Sequence, residues 1–437
     1  MKTFILRFET YGIKNIENKI SIDFAKATVS KKINIKNNCV TAIYGLNGSG
    51  KTALMYSIYL YKKIVEVKNF LIKEETINEF YNITNKKINQ CYFNMIFAVC
   101  NDDLTVKNVI SHSITLELKN REVLIKKETM RNLISQTING EYSDIYVIED
   151  GNIVFDLNEN KELTNLLIDK SKNLLTTRPI ASIINDSQII DIFDEKYKNK
   201  IDVKENIYGW LAYSILQLQF SLANIRISFD EGERIIQPLY ENVISNTLRV
   251  EAEPHVVNKN KFTEYKEQVK RLVDFIKLFK PNLKNILIES DINKDFYNCR
   301  LIFDYGDYKI SSVYESTGIK RIITLFSYFQ DLMNGKIIFI DELDANINGI
   351  YLTKLIEHFM KFAEGQLCYS THCTDSMDLI AKNNGTLYFL GETGKLISWI
   401  KNGNYSAYKR YKEGMIEDSP FNLSIVDMLK VFPQNNE

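Results

Sequence analysis

The chain has 437 residues, 45% of them hydrophobic, which is enough to bury more than one core. Its 55 basic and 55 acidic side chains cancel, which argues against wholesale attraction to nucleic acid or to an anionic membrane, although a local basic face stays possible. The first dozen residues lack the apolar run and small-residue cleavage site of a signal peptide, and the most apolar helical stretch, 210–227, carries Gln217, Gln219, Ser221, Asn224 and Arg226, so it reads as buried or partner-facing and not as a membrane span.

Residues 3–9 and 19–24 alternate apolar and polar about Tyr11-Gly12, which predicts paired strands. The run 39–44 predicts a buried strand, and 53–67 a helix with Leu54, Ile58, Tyr61 and Val65 on one face. Strands follow at 91–99, 111–118 and 122–128. Tyr146 to Ile148 and Ile153 to Phe155 flank Asp150-Gly151, a hairpin signal. Together these predict an antiparallel sheet. Amphipathic stretches at 204–227, 231–250 and 258–279 then predict helices, with no sustained heptad and so a compact insert, not a coiled coil. Their charges, Lys196, Lys198 and Lys200 and then Lys259, Lys261, Lys266, Lys270 and Arg271, read as a solvated face, with a partner-facing or nucleic-acid-facing arm as the alternative. Strands resume at 286–289, 300–303 and 308–311. The order helix 319–333, strand 336–340, helix 350–363, strand 366–370 predicts a parallel sheet covered by helices. The tail predicts strands at 386–390 and 395–400 and a helix at 423–431. Its cluster of Lys409, Arg410 and Lys412 reads as solvated surface before it reads as a contact. The expected organisation is an α/β fold: a head whose N-terminal part spans 1–155, a helical insertion at 156–283, and the rest of the head at 284–437.

The 6 cysteines, Cys39, Cys91, Cys100, Cys299, Cys368 and Cys373, form no C-x-x-C pair, and the chain has only 4 histidines. That spacing predicts no structural zinc site and free thiols in a reducing cytoplasm.

Four segments carry chemistry. Gly45-Leu46-Asn47-Gly48-Ser49-Gly50-Lys51-Thr52 fits G-x-x-x-x-G-K-[ST] at every fixed position, between a strand and a helix. The glycines let the backbone curl so that successive N–H groups face phosphate oxygens. Lys51 adds a charge for the outer phosphates, the Thr52 hydroxyl suits Mg²⁺, and the helix start adds its dipole. Far along the chain, the apolar strand before Asp341-Glu342 reads as a Walker B element. Asp341 is expected in the Mg²⁺ shell, and Glu342 is expected to polarise the attacking water of a nucleotide hydrolysis. Before that pair, Tyr314-Glu315-Ser316-Thr317-Gly318 precedes a helix, and after it Tyr369-Ser370-Thr371-His372 ends a strand.

In this order the segments resemble an ABC-type ATPase head. Ser316 and Gly318 match the Ser and second Gly of the signature L-S-G-G-Q, with Glu315 in place of Leu and Thr317 in place of the first Gly. His372 matches the switch histidine and Asp344 the D-loop aspartate. Tyr11-Gly12-Ile13-Lys14-Asn15 is similar to the N-F-[RK]-[SN] opening of relatives of RecF, SMC and the overcoming-lysogenization-defect family. Gln90 and Gln136 are both candidates for the Q-loop glutamine. The resemblance implies a mixed sheet flanked by helices plus an N-terminal antiparallel sheet. It implies ATP and Mg²⁺ as cofactors, and a homo-oligomer in which Lys51, Thr52, Asp341 and Glu342 of one head meet Ser316 and Gly318 of another across the nucleotide.

Compact heads of this kind resemble the ATPase subunits of the PARIS and Septu anti-phage systems. They imply a sensor or scaffold that controls a separate nuclease effector of TOPRIM or HNH type and responds to a phage protein or DNA, with no membrane involved. A RecF- or SMC-like ATPase that closes on DNA for repair is the alternative, and a non-hydrolysing assembly scaffold is a third. Zero net charge, the absence of a long coiled coil and a short tail without a nuclease-like acidic cluster favour the first.

Overall fold

The computed structural model describes residues 1–37, 39–156, 169, 171, 173–183, 208–229, 249–391, 394–399 and 406–416. The chain divides into two compact units, Met1–Asn224 with Met377–Glu437, and Ile225–Ser376.

The first unit opens on a seven-stranded antiparallel sheet in the order β2-β1-β4-β5-β6-β7-β8. Its strands are β1 (Lys2–Tyr11), β2 (Ile20–Asp23), β4 (Gln90–Cys100), β5 (Val106–Lys119), β6 (Glu122–Leu133), β7 (Tyr142–Glu149) and β8 (Asn152–Asp156). The Asp150-Gly151 turn joins β7 to β8 with φ of 46° and 77°, the left-handed pair that a two-residue hairpin needs. Strand β3 (Val40–Gly45) is buried at all six positions, as a strand covered on both faces must be. Helix α1 (Lys51–Glu66) follows it, with Leu54, Ile58, Tyr61 and Val65 all buried. Each such apolar side chain contributes about 1.5–3 kcal/mol. Helix α2 (Glu74–Ile83), which the periodicity did not single out, starts on Glu74 and Glu75, both favourable at a helix N-terminus. The long apolar helix is α3 (Tyr208–Ala223).

A buried polar chain seats α1 on the sheet. The Tyr61 hydroxyl lies 2.9 Å from His112 Nδ1, and His112 Nε2 lies 3.2 Å from Glu128 Oε1. Tyr146 donates to the same carboxylate oxygen at 2.7 Å, and the Ile180 amide donates to Oε2 at 3.0 Å. Burial, and then the charge of Glu128, push both tyrosine hydroxyls well above their usual range, so they stay protonated donors.

The second unit is built on the parallel strands β9 (Ile225–Ser228), β14 (Ile337–Ile340) and β15 (Gln366–Ser370), with β14 in the middle. A separate antiparallel sheet takes β10 (His255–Asn258), β12 (Phe296–Asp304) and β11 (Asn285–Asn293), with β13 (Lys309–Ser311) beside β12. Its helices are α4 (Phe262–Lys277), α5 (Thr317–Met333) and α6 (Gly349–Phe362). The expected helix at 204–227 therefore ends early, because Ile225-Arg226-Ile227-Ser228 is drawn into a sheet by pairing with β14. This is tertiary pairing overriding a helical pattern. Strand β10 lies between the helices expected at 231–250 and 258–279 and takes only the first residue of the latter. The expected helix at 231–250 lies outside the described residues except for its last two positions, and the one at 423–431 wholly so.

Arg226 shows what that placement costs and how it is met. The residue is 5% exposed, and its guanidinium pairs with Asp331 of α5 and lies 3.9 Å from the Tyr328 ring centroid. Lys336 completes the cluster at 3.0 Å from Asp331.

The first unit resumes with α7 (Met377–Lys382), β16 (Thr386–Leu390), β17 (Leu396–Ser398) and α8 (Ala407–Lys412). Strand β16 runs parallel to β3, with Leu390 level with Gly45, and β17 runs antiparallel to β16. The short tail helix α8 is fastened by Ser406, which donates to Asp378 at 2.6 Å and caps Lys409. The architecture is thus α/β, with a mixed sheet, flanking helices and an N-terminal antiparallel sheet. Among the described residues no helix is long and apolar enough to cross a membrane.

Replacing Asp331 by Ala removes the carboxylate that faces the buried Arg226 and the partly exposed Lys336. Urea unfolding is expected to show a loss of about 3–5 kcal/mol, and the double change Arg226→Met with Asp331→Leu should recover most of it. A loss within error for Asp331→Ala would show that the cluster is not a buried ion pair.

Candidate functional site

The phosphate-type loop sits at the junction of β3 and α1, in the first unit. Gly50 has φ of 106° and ψ of 13° and is the N-cap of α1, a conformation that penalises any Cβ. A Cβ on Gly45 would come within 2.5 Å of the Leu390 carbonyl oxygen and 2.6 Å of Ser49 Oγ, so glycine there answers to crowding. Asn47 and Gly48 are exposed at the tip, and Ser49 is fully buried. Lys51 is 6% exposed, and its ammonium turns back over the loop to donate to the carbonyls of Gly45 at 2.9 Å and Leu46 at 3.0 Å. Thr52 is the second residue of α1. Asn15, from the β1–β2 turn, donates to the loop carbonyls of Gly48 at 3.1 Å and Ser49 at 2.9 Å.

The remaining motif residues lie in the second unit. Asp341 follows β14 and is 4% exposed. Its carboxylate accepts the Ser370 hydroxyl, whose oxygen in turn accepts the Glu342 amide at 2.8 Å. Glu342 has φ of 48°, a left-handed conformation that is costly for a residue with a Cβ. The Leu343 amide donates to the Ser370 carbonyl at 3.0 Å. Asp344 Oδ2 accepts the backbone amides of His372 at 3.1 Å and Cys373 at 3.0 Å. The acidic turn and the His372 segment are therefore stitched together, and the D-loop-type aspartate is the stitch.

The signature-type turn meets the same structure. Ser316 is the N-cap of α5 and accepts the Ile319 amide at 3.4 Å. Its hydroxyl thus serves the helix end that also offers free amides. Gly318 packs close enough to the turn after Asp344 that a Cβ there would lie 3.0 Å from the Asn346 carbonyl oxygen. Glu315, which stands where the signature has Leu, is 8% exposed and anchors the turn through Tyr305 at 2.5 Å and Lys280 at 3.2 Å. Burial, then Glu315, raises the Tyr305 hydroxyl, which keeps it a donor. Arg321 of α5 ties the helix to the strand ends by donating to the carbonyls of Asp341 at 3.0 Å and Phe229 at 2.9 Å.

Sequence reading passed over Ser370, Arg321 and the Glu315 anchors. Ser370 stood inside a motif already noted, and a hydroxyl at the end of one of two neighbouring buried strands was the available signal. Arg321 and Lys280 gave none, since their partners are distant in the chain. Of the two Q-loop candidates, Gln90 opens β4 and Gln136 lies in the turn after β6.

The head of α1 offers a magnesium nucleotide a hard oxygen in the Thr52 hydroxyl, and magnesium keeps several waters and takes few protein ligands. Among the described residues no three His, Cys, Asp or Glu side chains cluster as a metal cage. Ser49 Oγ, buried without a hydrogen-bond partner, is a polar atom of the kind that a phosphate loop presents.

All six cysteines are free thiols, and Cys373 alone is not buried. Burial pushes the Cys91 thiol up to about 12. The Cys373 thiol is also raised, by burial and then by Asp375 and Asp344. At pH 7.5 a maleimide is therefore expected to modify Cys373 first, slower than free cysteine and faster as pH rises. Peptide mapping that finds Cys91 or Cys368 labelled ahead of it would contradict the packing of the His372 segment.

A protein-family model described as "AAA domain, putative AbiEii toxin, Type IV TA system" matches residues 40–374. A search of curated proteins finds no match. Among solved structures, the chain is similar to the Smc head domain of Pyrococcus furiosus, solved with an extended coiled coil and bound to the C-terminal domain of ScpA. The identity is 13%, over 94% of this chain and 99% of that one, with a TM-score of 0.42. The SMC head domain of Thermotoga maritima gives 13%, 92% and 100%, with a TM-score of 0.32. The recombination mediator RecF with ATP, from the RecFOR pathway, gives 11%, 91% and 99%, with a TM-score of 0.37. At these scores the likenesses carry no functional argument, and the fold rests on the strands and helices described above.

Proposed function

The chain belongs to this AAA-domain family, and on that premise we propose that it binds ATP with magnesium and hydrolyses it, cycling between separate and ATP-joined copies of itself. The observation that supports this most is the loop at the head of α1, with Gly50 left-handed and Lys51 folded over the loop's own carbonyls. Asn47, Gly48, Ser49, Gly50 and Lys51 would contact the phosphates. Thr52 and Asp341 would hold magnesium, which supplies charge neutralisation on the phosphate oxygens. Glu342 is the general base, and His372 donates to the outer phosphate. Ser316 and Gly318, at the amino end of α5, are the trans contribution of a second copy. Asp344, which accepts the His372 and Cys373 amides, helps to order that surface.

In this reading the cycle serves a sensor or scaffold in bacterial defence against phage, acting on a separate effector of nuclease type. The family description names a type IV toxin–antitoxin system, a system of two components, which supports a partner protein. The chain's balanced charge supports a protein partner over a DNA clamp.

Lys51→Ala is expected to abolish MgATP binding. Glu342→Gln should bind ATP but hydrolyse it about 10²–10⁴-fold more slowly, and it should accumulate as an ATP-joined oligomer in size-exclusion chromatography with light scattering. Equal turnover in Glu342→Gln would remove it as the base, and an unchanged mass with and without ATP would sink the joined-copy cycle. Affinity for duplex DNA that falls steeply with salt would favour the DNA-repair reading, while weak, flat binding favours the protein-effector one.

A further inference from the structure

We infer that Asn15 is a positioning residue for nucleotide: it holds the phosphate loop open from behind by hydrogen-bonding two of its consecutive carbonyls. This rests on the nucleotide reading above and adds to it a residue outside the loop. A loop that aims its N–H groups at phosphate turns carbonyls away from it, and those carbonyls need donors of their own. The single Asn15 amide nitrogen carries two hydrogens and donates to both Gly48 and Ser49, at 3.1 and 2.9 Å. Its carbonyl oxygen lies against Gly50, where a Cβ would come within 2.7 Å. The contact is thus close enough to demand glycine at the helix cap as well.

What makes Asn15 a brace and not a passenger is that other elements fix it. The Gly12 amide donates to the Ile16 carbonyl at 2.7 Å, and the Ile16 amide to the Ile13 carbonyl at 2.9 Å, closing a tight turn. The Lys14 amide donates to the Ile83 carbonyl at the end of α2 at 2.6 Å, and the Asn85 side chain donates to the Lys14 carbonyl at 3.0 Å. The turn is therefore ordered by α2 and the residues after it, so the loop is held by a part that is already rigid. The benefit falls on nucleotide binding, because a pre-ordered loop spends less conformational entropy when phosphate arrives.

Asn15→Asp keeps the shape but sets a carboxylate oxygen against two carbonyls, and Asn15→Leu keeps the bulk without donors. In both, the apparent Kd for MgATP is expected to rise about tenfold, the loss of roughly one to two hydrogen bonds. KM should rise with it while kcat changes far less, since the brace acts on ground and transition state alike. The amides of residues 48–51 should exchange hydrogen faster in nucleotide-free protein, with the remaining amides unchanged. A thermal midpoint that drops while MgATP affinity and loop exchange stay as in wild type would assign Asn15 a merely structural role and overturn the inference. Wild type that binds MgATP alongside variants that bind it equally well would overturn this inference alone. Wild type that binds none would overturn the nucleotide reading and this inference together. Should Asn15→Asp fail to fold, the Leu variant carries the same readouts.

Discussion

Backbone polarity is the constraint from which the rest of the first unit follows. A peptide that points its amide hydrogen one way points its carbonyl the other, so a turn that gathers N–H groups on one face must expose carbonyls on the opposite face. Here those carbonyls are answered by Asn15 on Gly48 and Ser49 and by Lys51 on Gly45 and Leu46. Strand β3 and helix α1 hold the two ends, the strand beside β16 and the helix through Tyr61 and the buried His112–Glu128 pair. The antiparallel sheet is therefore the platform on which the loop's helix stands.

The second unit solves a related problem at a strand end. Asp341 and Glu342 leave β14 with Glu342 in a left-handed conformation that costs about 1–3 kcal/mol. Ser370 offsets this by serving the Asp341 carboxylate and the Glu342 amide at once, and Asp344 takes two amides from His372 and Cys373. Arg321 carries the same organisation into α5, whose amino end is the signature-type turn. Acidic turn, histidine segment and signature helix thus form one hydrogen-bonded body, so a disturbance at Ser316 has a physical route to Asp341.

Most elements could be read from periodicity, and the differences have physical reasons. The stretch ending at Ile227 looked helical because its apolar residues continue the spacing of α3, but the parallel partner β14 captures its last three residues and Asp331 pairs with Arg226. Helix α2 escaped notice because its buried side chains are few, Thr76 and Phe80. The short helices α7 and α8 escaped because six residues carry too little pattern to read. In the phosphate-type loop and in the acidic turn, Lys51, Thr52, Asp341 and Glu342 could be singled out because each motif fixes its local spacing. Ser370, Glu315 and Arg321 act through partners that no spacing announces.

The amino-acid sequence by itself determined the loop that turns at Gly50, the buried strands before Gly45 and Asp341, and the α/β class, because each depends on residues within a few positions of one another. Only the tertiary structure decided that Asn15 stands behind the loop, that Ser370 governs the Asp341-Glu342 turn, and that Arg226 lies in a strand. Those contacts join segments far apart in the chain, where the energy comes from burial and pairing that no local pattern records.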